Sequence, residues 1–229
     1  MLRQQIPVSQ FLANVPLFRG LGEDSLGRIA AGAVQVYALR GTSVFHSGDS
    51  CTGIYAVLYG HVKLVLDASH GSERVIDLVG PGQTMGEVAV FLDEPYYATA
   101  TALADSELVH IPKATVLAEV DRNPGFARRL IVNLSRRVYR RVSDLQSYTQ
   151  SSATDRVVRF LLNDLSQHGV DDTESVTLPA PKGVIASRLN LTQEHFSRIL
   201  RDLMSAGLIK VDGRAIRISD LNGLRARAA

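Results

Sequence analysis

The stretch from Lys182 to Leu203, KGVIASRLNLTQEHFSRILRDL, admits few folds. Apolar residues at helical spacing (Val184, Ile185, Leu189 and Leu191, then Phe196, Ile199, Leu200 and Leu203) predict two short helices, each with one buried stripe. Ala186 is small where the helices must approach, and Asn190 tolerates the left-handed conformation a tight turn demands. Thr192 is placed to cap the second helix. The face left to solvent carries Gln193, Glu194, Ser197, Arg198 and Arg201. Such side chains, which bond base edges near the start of a helix with arginine further along, are the inventory of a helix-turn-helix. An ordinary surface helical hairpin shares the periodicity, so the residues that follow decide. Gly207 is placed to end the helix. Two β-rich runs then flank Asp212-Gly213, a two-residue hairpin signal. A helix-turn-helix followed by a hairpin is a winged helix. Lys182 on the first helix, with Lys210, Arg214 and Arg217 on the wing, supplies positive charge where phosphates would lie.

The chain has 229 residues and a net charge of +2, unevenly spread. Residues 1–121 hold 7 Lys and Arg against 13 Asp and Glu, and residues 122–229 hold 18 against 10. The basic half suits a nucleic-acid partner. Much of that excess lies between Arg122 and Arg141, so the motif carries the DNA assignment more than the charge does. A single cysteine, Cys51, excludes an internal disulfide and an iron–sulfur cluster, and it suits a reducing cytoplasm. There is no apolar run long enough to span a membrane, and no secretory leader is expected.

Three regions are expected: a β-barrel effector domain with N-terminal helices over 1–122, a dimerisation helix over 123–150, and a winged-helix domain over 151–229. Residues 8–32 read as helical. From 33 to 111, β-rich runs (Val34–Leu39, Ile54–Leu58, His61–Leu66, Val75–Val79, Ala98–Leu103, Leu108–Ile111) alternate with glycines, as in a barrel or sandwich. Val62, Leu64 and Leu66 alternate with His61, Lys63 and Val65, which predicts a strand buried mainly on one face. After Pro124, Ile131, Val138 and Leu145 recur every seven residues with Leu134 between them. Val142 and Leu130 widen that stripe, and arginines, Arg137 among them, flank it. Packing against the β-domain would explain the stripe; pairing with a second copy of the helix explains its length and arginine content better. Ser152 and Asp155 are set to cap a helix over Arg156–Leu165.

This order resembles the cyclic-AMP receptor protein and fumarate–nitrate regulator (CRP/FNR) family of bacterial transcription regulators. The local markers are Gly60-His61-Val62-Lys63-Leu64, Gly80-Pro81-Gly82, Gly86-Glu87-Val88-Ala89, the Asp155–Leu161 helix, and Gln193-Glu194-His195-Phe196-Ser197-Arg198. The resemblance implies an α+β chain: a jelly-roll β-barrel of cyclic-nucleotide-binding type, a long dimer helix and a winged helix. It implies a homodimer on palindromic double-stranded DNA, acting with RNA polymerase. Glutamate, serine and arginine at 194, 197 and 198 match the fumarate–nitrate branch, with half-sites like TTGAT. Arg198 would then pair with guanine, Glu194 would accept from a cytosine or adenine amino group, and Ser197 would meet a thymine.

The β-domain departs from the cyclic-nucleotide pattern. Gly86 and Glu87 are present, but Tyr96 and Tyr97 stand where relatives carry a phosphate-gripping Arg-Ser or Arg-Thr pair. Arg141-Val142 replaces the base-contacting Thr-Ser pair on the long helix. A charged ligand would lose its partner, so cyclic AMP is disfavoured. The Asp93–Ala100 stretch resembles the nitric-oxide-responsive branch regulating dissimilatory nitrate respiration, which makes haem a candidate cofactor. His46, His61, His70, His110 and Cys51 are its possible ligands. No catalytic or metal-binding residues are expected. A cyclic-nucleotide regulator with a divergent pocket and, more remotely, a cupin-type metal enzyme are the alternatives. A cupin needs clustered histidines, and these are scattered.

Overall fold

A computed structural model describes residues 7–67, 73–150, 152–167 and 175–227, with backbone only for 140, 141, 143–150 and 164–167. The chain divides into two compact units, Met1–Arg137 and Val138–Ala229.

In the first unit, the residues read as one helical stretch form two helices, α1 (Val8–Asn14) and α2 (Glu23–Gly32), separated by turns through Pro16 and Gly20. Eight strands follow: β1 (Val34–Ala38), β2 (Ser43–Phe45), β3 (Gly53–Tyr59), β4 (Val62–Asp67), β5 (Glu73–Val79), β6 (Thr84–Met85), β7 (Thr99–Ala102) and β8 (Ser106–Pro112). They make two antiparallel sheets, ordered β1-β8-β3-β6 and β2-β7-β4-β5. Two short helices, α3 (Glu87–Leu92) and α4 (Lys113–Arg122), flank β7 and β8.

Strand β3 explains why the sequence reads as an unbroken apolar run. Its side chains alternate between two cores. Ile54 and Ala56 join Leu12, Phe18, Ile29, Val116 and Phe126 beneath the helices. Tyr55 and Val57 join Phe45, Val62, Leu64, Met85 and Tyr96 between the sheets. The simple alternation expected of β4 fails at its end: Val65 is buried and Leu66 exposed. The pairing with β5 shifts register between Leu64 and Val65, and such a bulge re-aims the side chains beyond it.

The long helix is α5 (Pro124–Gln150). In the second unit, α6 (Ala153–Gln167) begins with a capping box: the Ser152 backbone N–H donates to Asp155 Oδ2 at 2.8 Å, and the Asp155 N–H to Ser152 Oγ at 3.2 Å. Then come β9 (Ser175–Thr177), α7 (Lys182–Arg188), α8 (Gln193–Ser205), β10 (Ile209–Asp212), β11 (Ala215–Ile218) and α9 (Leu221–Ala226). The wing is a three-stranded sheet, β10-β11-β9. Asp212 pairs with Ala215, so the hairpin turn is Gly213-Arg214 and not Asp212-Gly213. Gly213 has a φ of 57° and Arg214 does not share the left-handed region, the pattern of a turn with glycine at its first central position.

One side chain joins the α3–β7 connection to β3. The Tyr96 hydroxyl donates to the Gly53 carbonyl at 2.8 Å and accepts from the N–H groups of Thr52 and Gly53 at 3.2 and 3.1 Å. Its ring stacks on Phe45, with centroids 3.9 Å apart. Burial pushes its phenol up to about 12 against the opposing hydrogen bonds from Thr52 and Gly53. Tyr96→Phe leaves the buried Gly53 N–H and the part-buried Thr52 N–H unpaired and is expected to cost about 1–3 kcal/mol in urea unfolding. The phenol ionises at lower pH in the unfolded chain than in the folded one, so this contribution is present below pH 10 and fades towards 12. The wild-type advantage over Tyr96→Phe should therefore shrink between titrations at neutral pH and near the upper value.

Candidate nucleic-acid interface and effector pocket

Helix α8 presents two faces with opposite chemistry. Phe196, Ile199, Leu200 and Leu203 are all buried, and α8 packs on α6, α7 and β10. Glu194 and Arg198 are exposed and Ser197 half-buried. Spacings of three and four residues set these three along one ridge. The Thr192 hydroxyl accepts from the His195 N–H at 3.2 Å, capping the helix as expected. Asn190 adopts the left-handed conformation, φ 56°, in the turn before it.

The cap also fixes the chemistry of Glu194. Its own backbone N–H at the helix start, then the Thr192 hydroxyl, hold its carboxyl below the ordinary range. At neutral pH it is an ionised, acceptor-only group, suited to amino donors of cytosine or adenine. Among the described residues nothing pairs with Arg198 or Arg201, both exposed. Gln193 is exposed, but its side-chain oxygen lies over Gly183 of α7, 2.7 Å from where a Cβ would stand. Lys182 is half-buried at the start of α7. Arg214 is exposed at the wing turn, yet its Nε donates to the Leu178 carbonyl at 3.2 Å and ties the turn to the end of β9. Its role in the fold is therefore partly structural. Arg188, which the sequence did not single out, lies 5.9 Å over the Phe160 ring and links α7 to α6.

In the first unit, Gly86, Glu87, Tyr96 and Tyr97 line one cavity together with Phe45, Leu64 and Arg137. The cavity is about 10 Å³, room for about one water. Glu87 is 1% exposed. The Thr84 hydroxyl donates to Oε1, and Arg137 Nη1 donates to Oε2 at 2.9 Å. Arg137 Nη2 also lies 3.9 Å from Asp77. Burial opposes the charge on Arg137, but Glu87, Asp77 and the hydrogen bond to Glu87 outweigh it and raise its pKa. Tyr96 lines the cavity with its hydroxyl committed to Thr52 and Gly53, and Tyr97 is 47% exposed. The side chain of Arg141 lies outside the described residues, and Val142 is not among the lining residues.

Arg137 is the residue the sequence reading misplaced, as a flank of the dimer stripe. The signal was available: Leu130, Leu134 and Arg137 stand four and three residues apart, on one helical face. Leu130 belongs to the core beneath the helices, not to the outer stripe. Ile131 and Val138 are each 63% exposed and Val142 48%, while Leu134 is half-buried. The Leu145 side chain lies outside the described residues.

Haem does not fit this site. The cavity would have to grow many-fold, and among the described residues no histidine or cysteine lines it. His46 is exposed beside Asp49, 3.6 Å away. His61 packs near Gly80. The His110 ring meets that of Tyr55 at a tilt of 41°, and its pKa is lowered by burial against a hydrogen bond to the Thr52 backbone. Cys51 Sγ lies 3.9 Å from the Gly53 carbonyl, and His70 is outside the described residues. Among the described residues, no three His, Cys, Asp or Glu side chains are grouped to hold a metal, and no helix is long and apolar enough to cross a membrane.

Residues 23–123 match a cyclic nucleotide-binding domain family, and residues 155–227 a Crp-like helix-turn-helix domain family. The CRP-like cAMP-activated global transcriptional regulator of Mycobacterium tuberculosis is 24% identical, over 96% of this chain and all of that protein. The transcriptional regulatory protein btr of Bordetella pertussis is 30% identical, over 81% of this chain and 77% of that one. The crystal structure of DNR from Pseudomonas aeruginosa is 31% identical, with a TM-score of 0.53, and 99% of each chain is covered. Both halves of the architecture and the likeness along its length lead to one assignment: the chain belongs to the CRP/FNR family of DNA-binding transcription regulators.

Proposed function

We propose that the protein acts as a homodimer that reads a palindromic operator with TTGAT-like half-sites. The observation that carries this reading is the exposed ridge of Glu194, Ser197 and Arg198 above the buried stripe of α8. In each half-site Arg198 bonds guanine, Glu194 accepts from a cytosine or adenine amino group, and Ser197 meets a thymine. Thr192, Gln193, Lys182 and Arg201, on or beside α7 and α8, contact the backbone or flanking bases in this reading, and Arg214 meets phosphate at the wing turn. The exposed apolar residues Ile131, Val138 and Val142 of α5 supply the face for a second copy. The likeness to DNR supports the nitrate-respiration branch within the family. A small effector acting on the β-domain would alter the seat of α5, and so the regulator's action with RNA polymerase in the cytoplasm.

A cyclic-nucleotide regulator is the second reading, favoured by the domain family matched over residues 23–123 and by Glu87 in the pocket. Against it stand the two carboxylates facing Arg137, the cation a cyclic phosphate would need. Calorimetry with cyclic AMP and cyclic GMP decides: submillimolar binding establishes this second reading.

In gel shifts at stated low salt on a TTGAT–N4–ATCAA duplex, Arg198→Ala should lose about 1–3 kcal/mol of preference for the intact half-site. Equal loss on a scrambled duplex would reduce Arg198 to a phosphate contact. In light scattering, Val138→Arg should shift the protein from dimer to monomer. An unchanged dimer mass would remove the α5 interface.

A further inference from the structure

We infer that Arg137 serves as an internal ligand of the effector pocket, so that the DNA-binding form is reached with no small molecule bound. The inference rests on the DNA-regulator reading above and puts Arg137 in place of the small effector named there. The groups an effector would use are already engaged by the chain. Both oxygens of Glu87 are taken, one by the Thr84 hydroxyl and one by Arg137. The Tyr96 hydroxyl makes its bonds to Thr52 and Gly53. About 10 Å³ remains.

The local charge points the same way. One guanidinium faces two carboxylates, Glu87 and Asp77. An entering anion must compete with both for Arg137, and an entering hydroxyl must displace Thr84 or Arg137 from Glu87. A ligand shifts an equilibrium only by its differential affinity for the two states. Here it gains a partner only by breaking one, and a broken pair leaves a buried charge uncompensated. The pair is also a mechanical link. Arg137 belongs to α5, whereas Thr84 and Glu87 belong to β6 and α3. The connection between sheet and helix that a bound effector would supply is made by the chain's own side chains.

The test uses full-length protein whose absorption spectrum shows neither nucleotide nor a Soret band. Its binding to a fluorescent TTGAT–N4–ATCAA duplex is followed by anisotropy at stated low salt. Binding is expected with no additive, and saturating cyclic AMP, cyclic GMP or hemin should change Kd by less than about twofold. Arg137→Gln should weaken binding by about tenfold or more while circular dichroism shows a folded protein, and Arg137→Lys should recover part of the loss. Should Arg137→Gln fail to fold, Asp77→Asn takes its place: weakened affinity supports the inference and unchanged affinity overturns it. Wild-type protein that binds only after nucleotide or hemin is added overturns the inference and leaves the DNA reading standing. Protein that binds under none of these conditions removes the DNA reading itself.

Discussion

A carboxylate sealed from water must be neutral or paired, and Glu87 is paired with Arg137. That obligation reaches beyond the pocket. Once Arg137 points inward, the period of α5 brings Leu130 and Leu134 to the same side, where Leu130 closes the core beneath the helices. The same rotation turns Ile131, Val138 and Val142 outward. The exposed apolar residues Ile131 and Val138 thus lie off the face that carries Leu130 and Arg137.

In the second unit the governing constraint is apolar. The four buried residues of α8 leave the opposite face exposed, and there the helix-start N–H and then the Thr192 hydroxyl hold the Glu194 carboxyl below its ordinary range. An acceptor-only carboxylate beside a guanidinium is a discriminating pair, because each rejects the base edge that the other accepts. Gln193 of α8 lies over Gly183 of α7, and Arg188 joins α7 to α6 over the Phe160 ring.

Most of this was legible in the sequence where the determinants are local. The helix-turn-helix stripes, the left-handed Asn190, the Thr192 cap and the Ser152–Asp155 box depend on neighbours within four residues, and the structure forms each of them. Features set by distant partners were not legible. Arg137 pairs across fifty residues with Glu87, and one heptad pattern placed it on the wrong face. Tyr96 read as a ligand-site substitution and proved to be a latch onto β3, forty-three residues away. Strands β2 and β6 are three and two residues long, too short for any alternation to register. The hairpin turn shifted by one residue because glycine suits either central position, and only the pairing of Asp212 with Ala215 decides between them.

The markers that tie the β-domain to its family are largely backbone requirements, and this separates fold from ligand. Gly60 has a φ of 87°, and a Cβ on it would stand 2.2 Å from Ser106 Oγ. Gly86 has a φ of 97°, and a Cβ there would stand 2.7 Å from the Gly53 carbonyl. Both glycines are demanded by close approach of strands, whatever the cavity holds. A chain can therefore keep every such position, match a nucleotide-binding domain over residues 23–123, and still fill its pocket from within. The polar side chains of the cavity wall lie elsewhere, among them those at 87, 96 and 137, and two of these three are charged groups already facing one another. The scaffold is inherited through its turns, and the response it gives depends on which side chain closes the cavity.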